Sequence, residues 1–227
     1  MSLWKLRVGA EAYYLSQVAS GLDDYYSGRG ESEGRWVGGA SPGLGLGGGV
    51  SGEDLRAVLA GLAPGTGFTP NGERLRAHPR RVPGFDLTFS VPKSVSVAYA
   101  LGDPLVQAAV VDAGEAAVAD ALAWLEREAC HVRRGTNRRD AKVPRVEGWG
   151  TRRFLGAGFV AAQFRHRTSR AGDPQLHWHV LVANITRGPD RRWTALDGIG
   201  LYRSQRAAGV VFQAALRREL TERLGVE

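Results

Sequence analysis

Residues 158–186 read GFVAAQFRHRTSRAGDPQLHWHVLVANIT, and this stretch decides the fold. Two runs rich in apolar residues flank Ser169 to Pro174, SRAGDP, whose residue types form turns. The pattern predicts a β-hairpin with strands over Gly158–Thr168 and Gln175–Thr186. In the second strand Leu176, Trp178, Val180 and Val182 alternate with Leu181 and Ala183, so both faces are largely apolar, as in a central strand covered on both sides. Three of the five histidines lie in this hairpin, as His166, His177 and His179. Residues i and i+2 of a strand share a face, which makes His177 and His179 neighbours. A turn centred on Ala171 and Gly172 sets His166 opposite His177, with cross-strand Cβ atoms about 4.5–5.5 Å apart and His179 on the diagonal. Three neutral imidazoles on one side of a divalent ion leave positions open for water or substrate, the pattern of a catalytic metal site. Taken singly, each histidine also fits an ordinary core or surface position. Zinc, nickel, manganese, iron and magnesium all remain candidates, because imidazole donors accept several of these ions and availability in the cell decides among them. His78 and His131 have no such partners in the pattern.

Working outward, Phe85 to Ser90, FDLTFS, alternates strictly and predicts a strand with Phe85, Leu87 and Phe89 on one face and Asp86, Thr88 and Ser90 on the other. Asp86 is a candidate to take the second N–H of a ligating histidine or to accept a proton. The competing account is a solvated edge-strand face. Downstream, Leu105–Ala129 reads as a long amphipathic helix, followed by a short strand near Trp193 and a closing helix over Leu201–Leu224. Upstream, a strand start at Leu3 to Val8 precedes a helical stretch over about residues 10–27. Gly38–Gly52, GGASPGLGLGGGVSG, reads as a flexible segment too rich in glycine for regular structure. Ser51 and Asp54 form a capping-box-like start for a helix over Glu53–Leu62. Without βαβ repetition the expected fold class is α+β: a central antiparallel β-sheet with helices packed on it and the histidine hairpin at its centre, in one domain over 1–227.

The chain has 227 residues and 43% hydrophobic residues, enough for a substantial core, and a net charge of +7. That charge is central: residues 1–69 carry net −2, residues 70–170 net +7 and residues 171–227 net +2. Between positions 127 and 153 stand Arg127, Arg133, Arg134, Arg138, Arg139, Lys142, Arg145, Arg152 and Arg153 against Glu128, Asp140 and Glu147. Such a stripe suits a polyanion, since each neutralised phosphate releases counterions; a solvated basic loop is the plainer account. The single cysteine, Cys130, excludes an internal disulfide and a thiolate zinc module. No run approaches the roughly 20 apolar residues of a membrane span, and the first residues lack the apolar core of a signal peptide. A cytoplasmic protein without membrane insertion is expected.

Four of the six tyrosines form two pairs, Tyr13-Tyr14 and Tyr25-Tyr26. A phenol can act as a covalent nucleophile, but with an ordinary pKa of about 10 it needs a base or a cation field at neutral pH. A metal ion holding a phosphate supplies that field. Aromatic packing at helical spacing accounts for the pairs equally simply.

Three blocks together carry a resemblance: AEAYYLSQVASGLDDYYSGRGESEGRWVG, GFDLTFSVPKSVS and QFRHRTSRAGDPQLHWHVLVAN. In content and order they resemble the relaxase domain of TrwC/TraI-type conjugation proteins, the MobF class of HUH (His-hydrophobic-His) endonucleases. The resemblance implies a metal-dependent, site-specific single-stranded DNA endonuclease and strand transferase that starts plasmid transfer. It implies Tyr13 as nucleophile, His166, His177 and His179 as metal ligands, and Asp86 as the residue that orients a histidine or takes the tyrosine proton. Tyr14 is the partner of Tyr13, and Tyr25 or Tyr26 corresponds to a second pair used in the terminating transfer. Lys93, Arg152, Arg153 and Arg170 are expected to hold the DNA backbone, and single-stranded DNA at an origin of transfer and other relaxosome and transfer proteins are the implied partners. The sequence departs from the pattern at Trp178, a large residue between two metal histidines that could crowd one face of the site. The interval between the tyrosine pairs also differs, and the chain stops at Glu227, short of a complete relaxase domain, so the part that closes over DNA is expected to be missing.

The implied reaction is a transesterification leaving a 5′-phosphotyrosine and a free 3′-hydroxyl. Three other readings remain open. A rolling-circle replication initiator also uses His-x-His but takes its tyrosine from a downstream helix, where Tyr202 stands. A three-histidine hydrolase of small molecules needs no DNA. A truncated single-stranded DNA-binding module would bind without cleaving.

Overall fold

The computed structural model describes residues 1–10, 12–14, 34–65, 67–75, 82–135, 151–169 and 171–226. Nine strands are described: β1 (Ser2–Lys5), β2 (Arg35–Val37), β3 (Gly84–Ser90), β4 (His131–Arg134), β5 (Arg152–Leu155), β6 (Ala161–Thr168), β7 (Pro174–Ala183), β8 (Thr186–Arg187) and β9 (Trp193–Thr194). Four α-helices with both ends among the described residues accompany them: α1 (Gly52–Ala60), α2 (Lys93–Leu101), α3 (Pro104–Ala129) and α4 (Gly198–Leu224). The main sheet has five antiparallel strands in the order β1-β3-β7-β6-β2. β4 with β5, and β8 with β9, form two separate ribbons. The fold is α+β, as expected.

β7 is central, paired with β3 on one side and β6 on the other, which is why its sequence is apolar on both faces. On one face Leu87, Phe89, Trp178, Val180 and Val182 pack against Ala113, Ala117, Val118, Ala121 and Leu125 of α3 and Phe212 and Leu216 of α4. On the other, Ala162, Phe164, Leu181 and Ala183 meet Leu55, Val58 and Leu59 of α1, together with Trp36, Leu44 and Leu46. α3 and α4 are long but carry a narrow apolar stripe, so their stability comes from this packing. Asp103 caps α3 by accepting the backbone N–H groups of Leu105 and Val106 at 2.9 Å. Ser51 caps α1 by accepting the Asp54 N–H at 3.0 Å, the expected helix start.

Two expectations need correction. Gly38–Gly52 does contain regular structure: a 3-10 helix over Ser41–Leu44 and a bridge from Gly49 to Arg35. Its few non-glycine residues make the difference, since Ala40, Ser41, Leu44 and Leu46 are buried and the Ser41 hydroxyl donates to the Val37 carbonyl at 2.6 Å. β3 is not an edge strand, because β1 pairs along its outer side and Asp86 is 5% exposed. Most of the helix expected over about residues 10–27 lies outside the described residues, with Ala12 to Tyr14 helical.

Candidate metal centre and its tyrosines

The hairpin register sets His166 opposite His177 and Phe164 opposite His179, as turn geometry required. A register shift falls between His166 and Thr168, where Thr168 pairs with Pro174. The irregularity is confined to the turn end and leaves the histidine register intact. The three rings stand 4.9–5.3 Å apart, centre to centre. One ring nitrogen from each lies within 4.8 Å of the others. The face that carries them changes character halfway along β7: Leu181 and Ala183 are covered by the α1 layer, while His179 meets the Tyr14 ring of the N-terminal segment.

The proton positions follow from the neighbours. His179 Nδ1 lies 2.9 Å from each oxygen of Asp86, so it carries the hydrogen and leaves the Nε2 lone pair for a ligand. His177 Nδ1 lies 2.8 Å from the Gln175 carbonyl oxygen, which selects the same tautomer. His166 is 5% exposed, and its Nε2 is buried without a hydrogen-bond partner among the described residues. An orphaned buried nitrogen beside two pre-oriented imidazoles suits a cation that accepts nitrogen donors. Burial, seconded by the charges of His179 and His177 and opposed by Asp86, pushes the His166 pKa down to about 3. Burial lowers that of His177 as well. Both rings are therefore neutral, the ligating form, at neutral pH.

Asp86 joins this centre to the tyrosines. The Tyr14 hydroxyl donates to Asp86 Oδ2 at 2.9 Å, and the Tyr14 ring sits 5.2 Å from His179 and 6.1 Å from Phe164, centre to centre. Tyr14 is 7% exposed, whereas Tyr13 is 42% exposed, its ring edge-on to Tyr14 at 5.1 Å. Thr88 completes the cluster, with its hydroxyl 3.4 Å from His179 Nδ1 and 3.5 Å from Asp86 Oδ1. Its role was latent in the alternation of FDLTFS, which puts it on the Asp86 face. The Gln175 carbonyl has no sequence signal, because any residue type supplies that atom.

The remaining expected residues divide. Lys93 Nζ donates to the Pro174 carbonyl at 2.9 Å, which ties the start of α2 to the hairpin turn. Arg153 pairs with Asp197, a carboxylate only 2% exposed that also takes Arg133 at 3.8 Å. Arg134 binds Asp190 at 2.7 Å, and Arg152 lies over the Phe154 ring. Much of the described basic stripe is thus matched by acids far away in sequence. Tyr25, Tyr26, Arg170 and residues 136–150 lie outside the described residues. Trp178 does not crowd the histidines: it points to the opposite face, fully buried, with its ring against Gly114 of α3. Tyr202 packs against Phe85 on that same opposite face, across the sheet from the imidazoles, which removes the geometric basis for a downstream nucleophile there.

Sheet and site define an α+β protein with a three-imidazole cation cradle beside a tyrosine pair. The match to the TrwC relaxase family covers residues 7–227, and the chain belongs to that family. Two curated relatives are each described as a multifunctional conjugation protein TraI. One, from Escherichia coli, is 34% identical over 90% of this chain and 11% of its own length. The other, from Escherichia coli strain K12, is 32% identical over the whole of this chain and 12% of its own length. The chain therefore spans about a tenth of the length of these relatives. Among solved structures, a copper-bound complex of the conjugative relaxase TrwC with oriT DNA superposes with a TM-score of 0.77 at 33% identity, covering all of this chain and 71% of that one. A metal-bound TrwC complex with oriT DNA gives 0.72 at 31% identity, again covering all of this chain and 71% of that one. Among the described residues no helix is long and apolar enough to cross a membrane.

Proposed function

We propose that the chain is a metal-dependent, site-specific single-stranded DNA endonuclease and strand transferase, a conjugative relaxase acting at a plasmid origin of transfer. The observation that carries this reading is the convergence of His166, His177 and His179 beside a tyrosine pair, with Asp86 bonded to both His179 and Tyr14. TrwC, a family member of similar fold, is known bound to oriT DNA and to metal, which supports the same substrate and a divalent cofactor here. A divalent ion on the three imidazoles, manganese, magnesium, zinc or nickel, supplies Lewis-acid polarisation of the phosphoryl oxygens.

The chain's own residues do the rest. Tyr13, the more exposed phenol, attacks the scissile phosphorus; its oxygen forms the new P–O bond as the bond to the 3′ oxygen breaks. The phenol proton passes to a base at the site and the departing 3′ oxygen takes one up, so the step is proton-neutral. One phosphodiester replaces another, which keeps the bond energy for rejoining. Asp86 fixes the His179 tautomer and holds Tyr14 against the centre. Tyr25 or Tyr26 serves the terminating transfer, and Lys93, Arg152, Arg153 and Arg170 contribute contacts to the DNA backbone. Other relaxosome and transfer proteins are its partners, and the cytoplasm is its place of work, in keeping with a single buried cysteine.

One observation favours a second assignment of the nucleophile: the hydroxyl bonded to Asp86 is that of Tyr14, so a carboxylate acting directly as base would activate Tyr14. The test is a pool of 3′-labelled single strands that includes the cognate transfer origin, incubated with manganese and resolved by denaturing electrophoresis. Label that stays with the protein, and is lost in Tyr13→Phe, is the expected result. Loss in Tyr14→Phe alone transfers the role to Tyr14, and DNA binding without any labelled adduct would leave only a binding module.

A further inference from the structure

The outer edge of the sheet, next to the metal centre, carries a large aromatic residue that the reaction described above does not use. Trp4 pairs with Asp86 in the β1–β3 register. Directly opposed residues of an antiparallel pair project from the same face, so Trp4 stands one strand away from Asp86 on the imidazole side. Leu3 confirms the alternation, since it packs in the core on the helix side. Yet Trp4 is 69% exposed. Tryptophan is among the side chains most buried on average, and a water-exposed indole on the rim of a polar site has no packing role to explain it.

The far side of this edge strand is cationic. Lys5, the next residue along β1, points to the other face with its ammonium 5.9 Å from the centre of the Tyr202 ring. Arg206 lies one turn beyond Tyr202 on the same side of α4, and both cations are exposed. Among the described residues neither Lys5 nor Arg206 takes part in an ion pair. A strand of unpaired nucleotides has two features that such an edge recognises: flat bases that stack on an aromatic ring, and phosphates attracted to a local positive field.

We propose that Trp4 is a base-stacking platform, which holds an unpaired base of the DNA strand on the rim of the metal centre, while Lys5 and Arg206, on the far face of the same edge strand, attract phosphates of the nucleotides that pass around that edge. The proposal rests on the single-stranded DNA reading above and adds to it a residue that positions substrate. Stacking onto a neutral ring is indifferent to base identity and to salt, so it fixes the strand's path rather than its sequence.

The experiment measures binding of a dT oligonucleotide to the wild type, Trp4→Phe and Trp4→Ala across a salt series, with photo-crosslinking of a strand that carries 5-iodouracil. Trp4→Ala is expected to lose about 5- to 100-fold in affinity with an unchanged salt slope and melting temperature, and Trp4→Phe to lose less. The crosslink is expected in the tryptic peptide Met1–Lys5. Wild-type affinity in Trp4→Ala with no crosslink at that peptide would overturn the proposal, and so would a loss that Trp4→Phe does not soften and that comes with a lower melting temperature. If the wild type cleaves its cognate DNA while the Trp4 variants match it throughout, only the stacking role falls. If the wild type binds no single strand at all, the nuclease reading falls first and this one with it.

Discussion

Asp86 meets His179 with both carboxylate oxygens, each 2.9 Å from Nδ1, and so fixes the free lone pair of His179 on the nitrogen that faces His166 and His177. A carboxylate in that position also raises the basicity of the ligand. Asp86→Asn keeps an oxygen able to accept the same N–H but removes the charge. Manganese or zinc affinity, measured by titration calorimetry, is expected to fall about 10-fold in Asp86→Asn and towards 100-fold in Asp86→Ala. Tyr14→Phe removes only a hydroxyl donor to the same carboxylate and should leave the metal affinity within a few fold of wild type. Equal affinities in wild type and Asp86→Ala would show that the histidines orient themselves.

The buried histidines make the metal-free protein sensitive to acid. His166 has a folded pKa of about 3 against an ordinary 6.5. Between those values the unfolded chain binds more protons than the folded one, so stability rises with pH across the window and falls as pH drops from about 6.5 towards 3. The slope from this one group is at most about 1.4 kcal/mol per pH unit. His177 shifts in the same direction. Urea unfolding of the metal-free protein at several pH values should show this slope, and His166→Asn should flatten it. Parallel profiles for the two proteins would remove His166 as the cause.

The ribbon of β4 and β5 is pinned by a buried acid. Asp197 takes Arg133 and Arg153, which face each other across the ribbon, and its own N–H donates to the His131 carbonyl at 2.7 Å. Because both arginines are roughly half exposed, removing the carboxylate leaves cations that water can solvate rather than buried unpaired charge. The cost of Asp197→Asn should therefore be about 1–2 kcal/mol, below the 3–5 kcal/mol of a broken buried pair. Chemical denaturation gives the figure, and hydrogen exchange should show faster opening at residues 131–134 and 152–155 than in the main sheet.

How much of this was legible beforehand depended on range. The hairpin register, the Asp86 face and the Ser51 cap are consequences of spacings of a few residues, and all were readable from period and turn chemistry alone. Gly38–Gly52 misled because composition weighs every glycine equally, whereas Ala40, Ser41, Leu44 and Leu46 found a core supplied by β6, β7 and α1. The basic stripe misled in part for the same reason, since Asp190 and Asp197 reach it from far along the chain. Strand order was equally hidden: nothing local in Leu3 to Val8 says that β1 covers the outer side of β3 and thereby buries Asp86. Trp178 was legible in its alternation, which already puts it on the face away from His177 and His179.

Gly114 shows what that opposite face contributes to the site. It stands in the middle of α3, where alanine is favoured over glycine by about 1 kcal/mol. A Cβ at this position would lie 2.0 Å from Cη2 of Trp178 and 2.7 Å from two further ring atoms. Overpacking of this kind costs about 1–3 kcal/mol even after relaxation, so the clash outweighs the gain in helix propensity and Gly114→Ala should be destabilised. Trp178 sits between His177 and His179 on β7, so a ring pushed out of its pocket carries the strand with it. Gly114→Ala is accordingly expected to lower metal affinity as well as melting temperature. Trp178→Phe frees the space the new methyl needs, and in the double variant the two losses should sum to less than their separate values. Additive losses would mean that α3 shifts as a body and that Trp178 does not transmit the strain to the histidines.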